Sequence, residues 1–317
     1  MPSRLRAMIC VSLWLALAAC AAPATEPAER VREALAAVRF VAYTPRGFDP
    51  NTGAEPASPQ AIRADLRVLR RYFDGLVTYS SARGLDAIPG IARELGFRAV
   101  VLGVWDPTSD AELGLALASA RRQPETVLAL ALGNEGLFFE RYDAAALAAA
   151  FARARREAPG VAVTTTEPFS SHLEPARAQA LPALDFLLPV VHPLDQPWFR
   201  SAPRETRVEF VRNVVHELET RTRLPVLVKE TGVPSGPASE GFDEADQAEF
   251  WRALAARLPA TRAHAFVWFE AFDAPWKIAS VAAQTGDLRA TEAHWGLFRA
   301  DGTAKPALAV LEAQGTP

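Results

Sequence analysis

Cysteine is almost absent from this chain of 317 residues, occurring only at Cys10 and Cys20. Because both lie within the first twenty residues, the rest of the chain has no disulfide framework and no cysteine-based metal site. There are only five histidines and no His-Glu-x-x-His sequence. A dedicated zinc site is therefore not expected, and no cofactor is expected.

Basic clusters and phosphate-binding glycine turns are also missing. The formal net charge is -3, and phosphate backbones are bound by clustered Lys and Arg, so nucleic acid is not an expected partner. No Gly-x-Ser-x-Gly sequence offers an activated serine. The first predicted strand runs into Tyr43-Thr44-Pro45-Arg46-Gly47, which is not the Gly-x-Gly-x-x-Gly turn of dinucleotide-binding folds.

The N-terminus has the pattern of an export signal. Arg4 and Arg6 precede an apolar run over residues 8–19 that is short for a bilayer span and ends in Leu-Ala-Ala before Cys20. This pattern resembles a bacterial lipoprotein signal in which Cys20 is lipidated, and Ala21 by resemblance favours the outer membrane. An ordinary secretory signal and an uncleaved anchor are the alternatives.

We therefore expect a lipoprotein-type signal peptide over residues 1–20 and a flexible tether over residues 21–35, where Ala, Pro and Glu are frequent. The expected location is the cell envelope, either as an outer-membrane lipoprotein or in the periplasm. Residues 36–317 are expected to form a single catalytic domain, and the protein is expected to be a monomer.

Strand-like and helix-like segments alternate through this domain. Hydrophobic residues make up 50% of the chain, and the strand-like segments are nearly continuous apolar runs, as in parallel sheets covered on both faces. Eight such units over roughly 280 residues predict a (β/α)8 TIM barrel. A doubly wound open sheet is the alternative. The predicted strands are residues 39–43, 75–79, 98–104, 126–132, 161–165, 184–191, 226–229 and 264–269.

Polar or aromatic side chains follow every predicted strand. In a barrel these positions share the carboxyl-end face, where active sites are built. Among them, Glu135 and Glu230 each end a buried apolar run, and a carboxylate there is costly unless it is used or paired. Two such carboxylates suit glycoside hydrolysis, in which one protonates the leaving oxygen while the other attacks or activates water. Structural roles are the alternative: a helix cap for Glu135 and an ion pair with Lys229 or an arginine for Glu230.

Four segments resemble glycoside hydrolase family 17, the β-1,3-glucanase family, and its bacterial branch more than its plant branch. They are residues 133–135 (Gly-Asn-Glu), 229–235 (Lys-Glu-Thr-Gly-Val-Pro-Ser), 269–277 and 292–298. The resemblance implies a retaining glycosidase acting on β-1,3-glucan or a related β-glucan. It makes Glu135 the general acid/base and Glu230 the nucleophile of a double displacement.

The resemblance also implies that Glu270, Lys277 and Glu292 lie near the catalytic pair, where they orient the nucleophile or bind sugar. Aromatic faces stack on pyranose rings, and Tyr43 and Trp276 are the strongest candidates; Trp105 and Trp198 are further ones, whereas Trp268 is expected in the core. For Glu167 and His192 a structural pairing is an equal alternative. The full set of predicted substrate-binding residues is Tyr43, Tyr79, Asn134, Glu167, His192, Glu270, Trp276, Lys277 and Glu292.

Two positions depart from the family pattern. Val233 stands where the family has tryptophan, which removes a wall of the cleft. Val77 stands where relatives carry an arginine that helps to hold the catalytic carboxylates ionised and oriented, and Arg46 or Arg83 are candidates to replace it.

The expected partners are a β-glucan polysaccharide or oligosaccharide and, through the lipid anchor, a membrane. Two alternatives remain open. One is a transglycosylase, in which a sugar hydroxyl rather than water takes the glycosyl group from Glu230. The other is a non-catalytic glucan-binding lipoprotein, which the departures at Val77 and Val233 would favour.

Overall fold

The computed structural model describes residues 26–52 and 55–315. The predicted signal peptide, Cys20 and the first residues of the predicted tether lie outside the described residues. Across the described ranges, no helix is long and apolar enough to cross a membrane.

Seven parallel strands form one curved sheet, in the order β5-β4-β3-β2-β1-β7-β6. Strand β1 pairs with both β2 and β7, so the first and last strands along the chain lie side by side in the sheet. Nearly all strand residues are buried, because helices cover the sheet. The strands are β1 Phe40–Ala42, β2 Gly75–Val77, β3 Ala99–Val104, β4 Val127–Asn134, β5 Ala162–Thr166, β6 Val226–Val228 and β7 His264–Trp268.

The predicted strand over residues 184–191 does not form a regular strand, so the prediction of eight strands is wrong by one. Isolated parallel bridges join Leu187 to Val226, and Val190 to both Pro168 and Glu230. Pro189 interrupts the segment and has no backbone N–H to donate to a neighbouring strand. Residues 184–191 therefore lie between β5 and β6 without continuing the sheet.

Helices follow the strands along the chain, as the alternating pattern predicts. Several helices begin at a side chain that accepts a hydrogen bond from the backbone N–H of the residue three positions later. These side chains are Ser58, Ser109, Asp143 and Asp243. The helices are α1 Pro27–Ala37, α2 Pro59–Leu69, α3 Ile88–Glu94, α4 Asp110–Arg122, α5 Ala144–Glu157, α6 Phe169–Leu173, α7 Pro175–Ala180, α8 Arg204–Thr222, α9 Glu244–Arg257, α10 Lys277–Thr285 and α11 Leu308–Ala313.

Helix α1 corrects the boundary of the predicted tether. Val31 and Leu35 are fully buried, and their four-residue spacing gives the helix one apolar face. The helix packs against β4, β5 and β7, and Arg30 donates to the carbonyl oxygens of Pro124 and Gly160, both at 3.0 Å. Residues 27–35 therefore belong to the packed fold and not to a flexible linker.

Replacing Leu35 by Ala should lower the free energy of unfolding by about 2–5 kcal/mol, because the change removes buried methyl groups and leaves a cavity. Urea denaturation followed by circular dichroism measures the change. Glu33→Ala is the matched control, since Glu33 is exposed on the same helix. Equal unfolding midpoints for the two variants would contradict the packing of α1.

Candidate active site

Glu135 is held in an unusual backbone conformation at the end of β4. Its φ is 54°, a left-handed value that costs an L-residue roughly 1–2 kcal/mol. Its backbone N–H donates to the carbonyl oxygen of Thr166, at the end of β5, at 2.6 Å. Strained residues of this kind persist where surrounding contacts fix them, and they cluster at active sites.

Glycines on both sides of Glu135 allow Tyr142 to pack closely against this turn. A Cβ atom added at Gly133 or at Gly136 would overlap the Tyr142 ring or its hydroxyl oxygen. Gly133 also has a φ of 84°, which glycine adopts without strain. The backbone around Glu135 is thus set by close packing of Tyr142 and by the absence of side chains at Gly133 and Gly136.

Glu167 fixes the loop that follows Glu135. Its buried carboxylate accepts hydrogen bonds from the backbone N–H groups of Leu137 and Phe138, both at 3.1 Å. Burial raises the pKa of Glu167 to about 6, although these two hydrogen bonds lower it. Its side chain is fully enclosed, so the structure gives Glu167 the structural pairing and not the predicted contact with substrate.

Glu230 lies two residues after the end of β6, and its backbone oxygen accepts from Val191 N–H at 2.8 Å. Burial raises the pKa of Glu230, but contact with His192 and the charges of Lys229 and Lys277 outweigh it, so the pKa lies below its usual value. His192 Nε2 is 3.6 Å from Glu230 Oε2. Glu230 is therefore ionised at neutral pH.

Glu135 shows the opposite shift. Burial is the largest cause and the negative charge of Glu230 is the second, and together they raise the pKa of Glu135 to about 8. At neutral pH Glu135 holds a proton while Glu230 does not. Carboxyl groups whose environments drive their pKa values apart are the usual arrangement of a general acid beside an ionised partner.

Tyr79 lies beside the same carboxylates, at the end of β2. Burial and the charges of Glu230, Glu270 and Glu135, in that order, raise the pKa of Tyr79 well above its usual value. The Lys229 ammonium lies over its ring, 4.2 Å from the centroid. The Tyr79 phenol is therefore a neutral donor next to Glu230.

Glu270 and Lys277 form a buried ion pair next to Glu230. Lys277 Nζ lies 2.7 Å from both carboxylate oxygens of Glu270 and contributes to lowering the pKa of Glu230. Burial raises the pKa of Glu270 to about 7, against the attraction of Lys277. The pair adds a negative and a positive group beside the two candidate catalytic carboxyls.

An aromatic wall supports His192. Its ring packs on Trp295, with centroids 4.8 Å apart, and on Phe269, with centroids 5.3 Å apart. Glu292 accepts a hydrogen bond from Trp295 Nε1 at 3.2 Å. This wall fixes the imidazole that contacts Glu230. Glu292 is linked to that imidazole through the Trp295 ring.

A cavity of about 810 Å³ opens beside Glu135 and His192. It extends over the loops after β4 and β5 and over the residues after His192, and it is large enough for an oligosaccharide. Its apolar lining is not among the predicted site residues, although Phe138-Phe139 directly follows the Glu135 turn. The apolar residues are Phe138, Phe139, Pro168, Phe169, Val190, Leu194 and Leu288.

Residues 41–296 match the BtgE/BtgC glycoside hydrolase domain. The chain belongs to the BtgE/BtgC glycoside hydrolase family. The matched range contains every residue of the site described above. Among the described residues, no group of three or more His, Cys, Asp or Glu side chains is arranged to hold a metal ion.

Several known proteins are similar to this BtgE/BtgC-family chain. A glucan 1,3-beta-glucosidase from Arthroderma benhamiae is 24% identical over 254 residues, which cover 75% of this chain and 80% of that protein. An endo-laminarinase from Formosa Hel1_33_131 has a TM-score of 0.63 at 19% identity, covering 88% of this chain and 87% of its own.

A glycoside hydrolase family 17 beta-1,3-glucanosyltransferase from Rhizomucor miehei also has a TM-score of 0.63 at 19% identity, covering 86% of this chain and 96% of its own. These two likenesses show the fold, a TIM-like parallel sheet with helices. Together with the family match, they make this chain an O-glycosyl hydrolase.

The structure places most of the predicted site residues of this BtgE/BtgC-family hydrolase together. Besides Glu167, Tyr43 is an exception, since it is 1% exposed and its hydroxyl donates to Asp65 at 3.2 Å. Tyr43 is therefore a core residue and the prediction that it contacts sugar is wrong. Trp268 is buried, as expected. The residues gathered near the carboxyl pair are Tyr79, Asn134, His192, Glu270, Trp276, Lys277 and Glu292.

The two aromatic residues outside this group have different surroundings. Trp105 is 38% exposed, and the Arg141 guanidinium lies 4.2 Å from its ring centroid. Trp198 is half-buried and packs edge-to-face on Phe210. Trp105 thus keeps an accessible face near the end of β3, whereas Trp198 supports α8.

Arg46 and Arg83, the two candidates to replace an arginine at position 77, both contact groups other than the carboxyl pair. Arg46 pairs with Asp65 at 2.6 Å, and Arg83 donates to the carbonyl oxygen of Pro50 at 2.9 Å. Val77 itself is fully buried in β2. The positive groups that act on Glu230 are instead His192, Lys229 and Lys277.

Replacing Gly136 by Ala should destabilise the protein by roughly 1–3 kcal/mol, because the new methyl group overlaps the Tyr142 ring. Thermal unfolding measures the change. Gly114→Ala, within helix α4, is the control, since its methyl group would meet only the Arg153 side chain, at 3.8 Å. The cost should disappear when Gly136→Ala is made in a Tyr142→Ala background, and equal costs in both backgrounds would contradict the packing described.

Proposed function

We propose that this protein is a retaining β-glucan hydrolase of the family 17 type, with Glu135 as general acid/base and Glu230 as nucleophile. The observation that carries the proposal is that two carboxyl groups from different strands, after β4 and β6, interact with each other in one buried site where their surroundings shift their pKa values in opposite directions. Burial keeps Glu135 protonated, while His192 and two lysines keep Glu230 ionised. Double displacement requires this pair of states before the first step.

In the first step, a Glu230 oxygen attacks the anomeric carbon while Glu135 gives its proton to the departing glycosidic oxygen. A covalent glycosyl ester on Glu230 and a free sugar hydroxyl result. In the second step, Glu135 takes a proton from water as the water oxygen attacks the anomeric carbon and releases Glu230. This sequence restores both groups and predicts carboxyl groups about 5–5.5 Å apart.

The proposed substrate class is β-1,3-linked glucan. Support comes from the similar proteins, which include a glucan 1,3-beta-glucosidase, an endo-laminarinase and a beta-1,3-glucanosyltransferase. The cavity beside Glu135 has room for several sugar units, and its phenylalanines offer apolar faces to pyranose rings.

We also propose that residues 184–191, between β5 and β6, correspond to the strand that the observed seven-stranded sheet lacks by comparison with a (β/α)8 barrel.

Transfer to a second sugar is the alternative outcome of the same site. The apolar lining of the cavity, with Phe138, Phe169 and Leu288, favours it, because a bound acceptor sugar would displace water from the second step. A sugar hydroxyl would then give its proton to Glu135 and attack the glycosyl ester on Glu230.

Products formed from laminari-oligosaccharides test the catalytic assignment. The wild type should produce shorter chains, or shorter and longer chains if transfer occurs, and Glu135→Ala and Glu230→Ala should each lower kcat at least about 10³-fold. Glu33→Gln is the control, as an exposed glutamate on helix α1.

Chromatography of the products separates hydrolysis from transfer. Full activity in either alanine variant would contradict the assigned roles. Glucan binding by a folded wild type that turns over no β-glucan would favour the non-catalytic alternative.

The dependence of kcat/KM on pH should be bell-shaped. Activity requires Glu230 ionised and Glu135 protonated, so it should rise through the lowered pKa of Glu230 and fall as Glu135 loses its proton near pH 8. With an aryl β-glucoside whose leaving group needs no proton, forming the glycosyl ester no longer requires the acid, so the alkaline limb should disappear in the wild type and in Glu135→Gln alike. An alkaline limb that persists unchanged in Glu135→Gln would assign it to another group.

A further inference from the structure

Beyond its charge, Lys229 makes hydrogen bonds whose role the proposed mechanism leaves open. It lies between β6 and Glu230 and is 1% exposed. Its ammonium donates to Asn134 Oδ1 at 2.5 Å and to Thr166 Oγ1 at 3.3 Å. It therefore joins the end of β6 to the ends of β4 and β5 inside the site.

The bond to Lys229 fixes the orientation of the Asn134 amide. An ammonium only donates hydrogen bonds, so it selects the amide oxygen and excludes the amide nitrogen from that position. The Asn134 Nδ2 hydrogens are then the part of the side chain left to donate elsewhere. Because Glu135 follows directly in the chain, these donors lie beside the proposed acid and suit a sugar hydroxyl.

Lys229 also supplies a positive charge close to both carboxyl groups. Burial lowers its pKa to about 8, against the attraction of Glu230 and Glu135, while Lys277 lowers it further. Tyr79 covers one side of the ammonium. Of the other charged groups nearby, His192 contacts Glu230, and Glu270 pairs with Lys277.

We infer that Lys229 is a positioning residue that holds the Asn134 amide in its donating orientation and supplies the positive charge beside Glu230. It supplies the positive charge that the resemblance to family 17 assigns to an arginine at position 77, and its ammonium lies over the Tyr79 ring. This inference rests on the proposed function, since it assigns a second role around the same catalytic pair.

Lys229→Met, which keeps the length of the side chain, should lower kcat roughly 10²-fold with a smaller change in KM, because both the amide orientation and the charge are lost. It should also move both limbs of the pH profile to higher pH. The positive charge lowers the pKa of Glu230 and of Glu135, so its removal raises both.

Lys229→Arg should leave the two limbs where they are in the wild type, because the charge remains, and should recover part of kcat. Lys229→Gln separates the two roles further and serves if the methionine variant does not fold, since it keeps a donor for Asn134 and removes the charge. Its limbs should move as in Lys229→Met. Unshifted limbs in the folded, uncharged variants would overturn the inference.

A titration of the glutamate carboxyl groups by ¹³C NMR distinguishes failure of this inference from failure of the proposed function, because it needs no substrate. The pKa values of Glu135 and Glu230 should both rise in the uncharged variants and stay unchanged in Lys229→Arg. If they rise while the wild type turns over no glucan, the charge role holds and the proposed function fails. If they do not move, the role assigned to Lys229 is wrong whatever the activity.

Discussion

Three carboxyl groups, those of Glu135, Glu230 and Glu270, are buried together at one end of a parallel sheet, and the site depends on how their charges are balanced. Removing a carboxylate from water disfavours its charged form, and neighbouring negative charges disfavour it further. Lys229, Lys277 and His192 are cationic groups that act on this cluster. They act most strongly on Glu230, so Glu230 ionises while Glu135 keeps its proton.

The backbone around Glu135 is built to keep this balance fixed in space. Glu167 holds two amides of the following loop, and the glycines beside Glu135 let Tyr142 close against the turn. The left-handed φ of Glu135 is tolerated because these contacts determine it from both sides. A small displacement here would change the distance between the charges and therefore the protonation of both groups.

The cationic groups also bear on Val77, which departs from the pattern of family 17, the family that parts of the sequence resemble. An arginine two residues before Tyr79 would approach the carboxyl pair from β2, but Val77 occupies that position and is buried in the sheet. Lys229 approaches from β6 and lies over the Tyr79 ring. A charge of the same sign therefore reaches the pair from a different strand, and the loss of the arginine does not leave the carboxylates without a cation.

The alternation of strands and helices is visible in the amino-acid sequence alone, and so are the positions of Glu135 and Glu230 at the ends of buried strands. Both are local properties, because hydrophobic runs and the residues that end them are visible along the chain. The resemblance to glycoside hydrolase family 17 also indicated Glu270 and Lys277, whose ion pair the structure contains. These elements follow from patterns spanning a few residues.

Only the tertiary structure decided which side chains meet. It placed Tyr43 against Asp65 in the core, engaged Glu167 with the backbone of a loop thirty positions earlier, and joined Lys229 to Asn134 across 95 positions. It also replaced a predicted strand by isolated bridges around Pro189 and packed α1 onto the sheet. Such outcomes depend on side-chain direction and on partners distant in the chain, and local patterns in a sequence do not encode them.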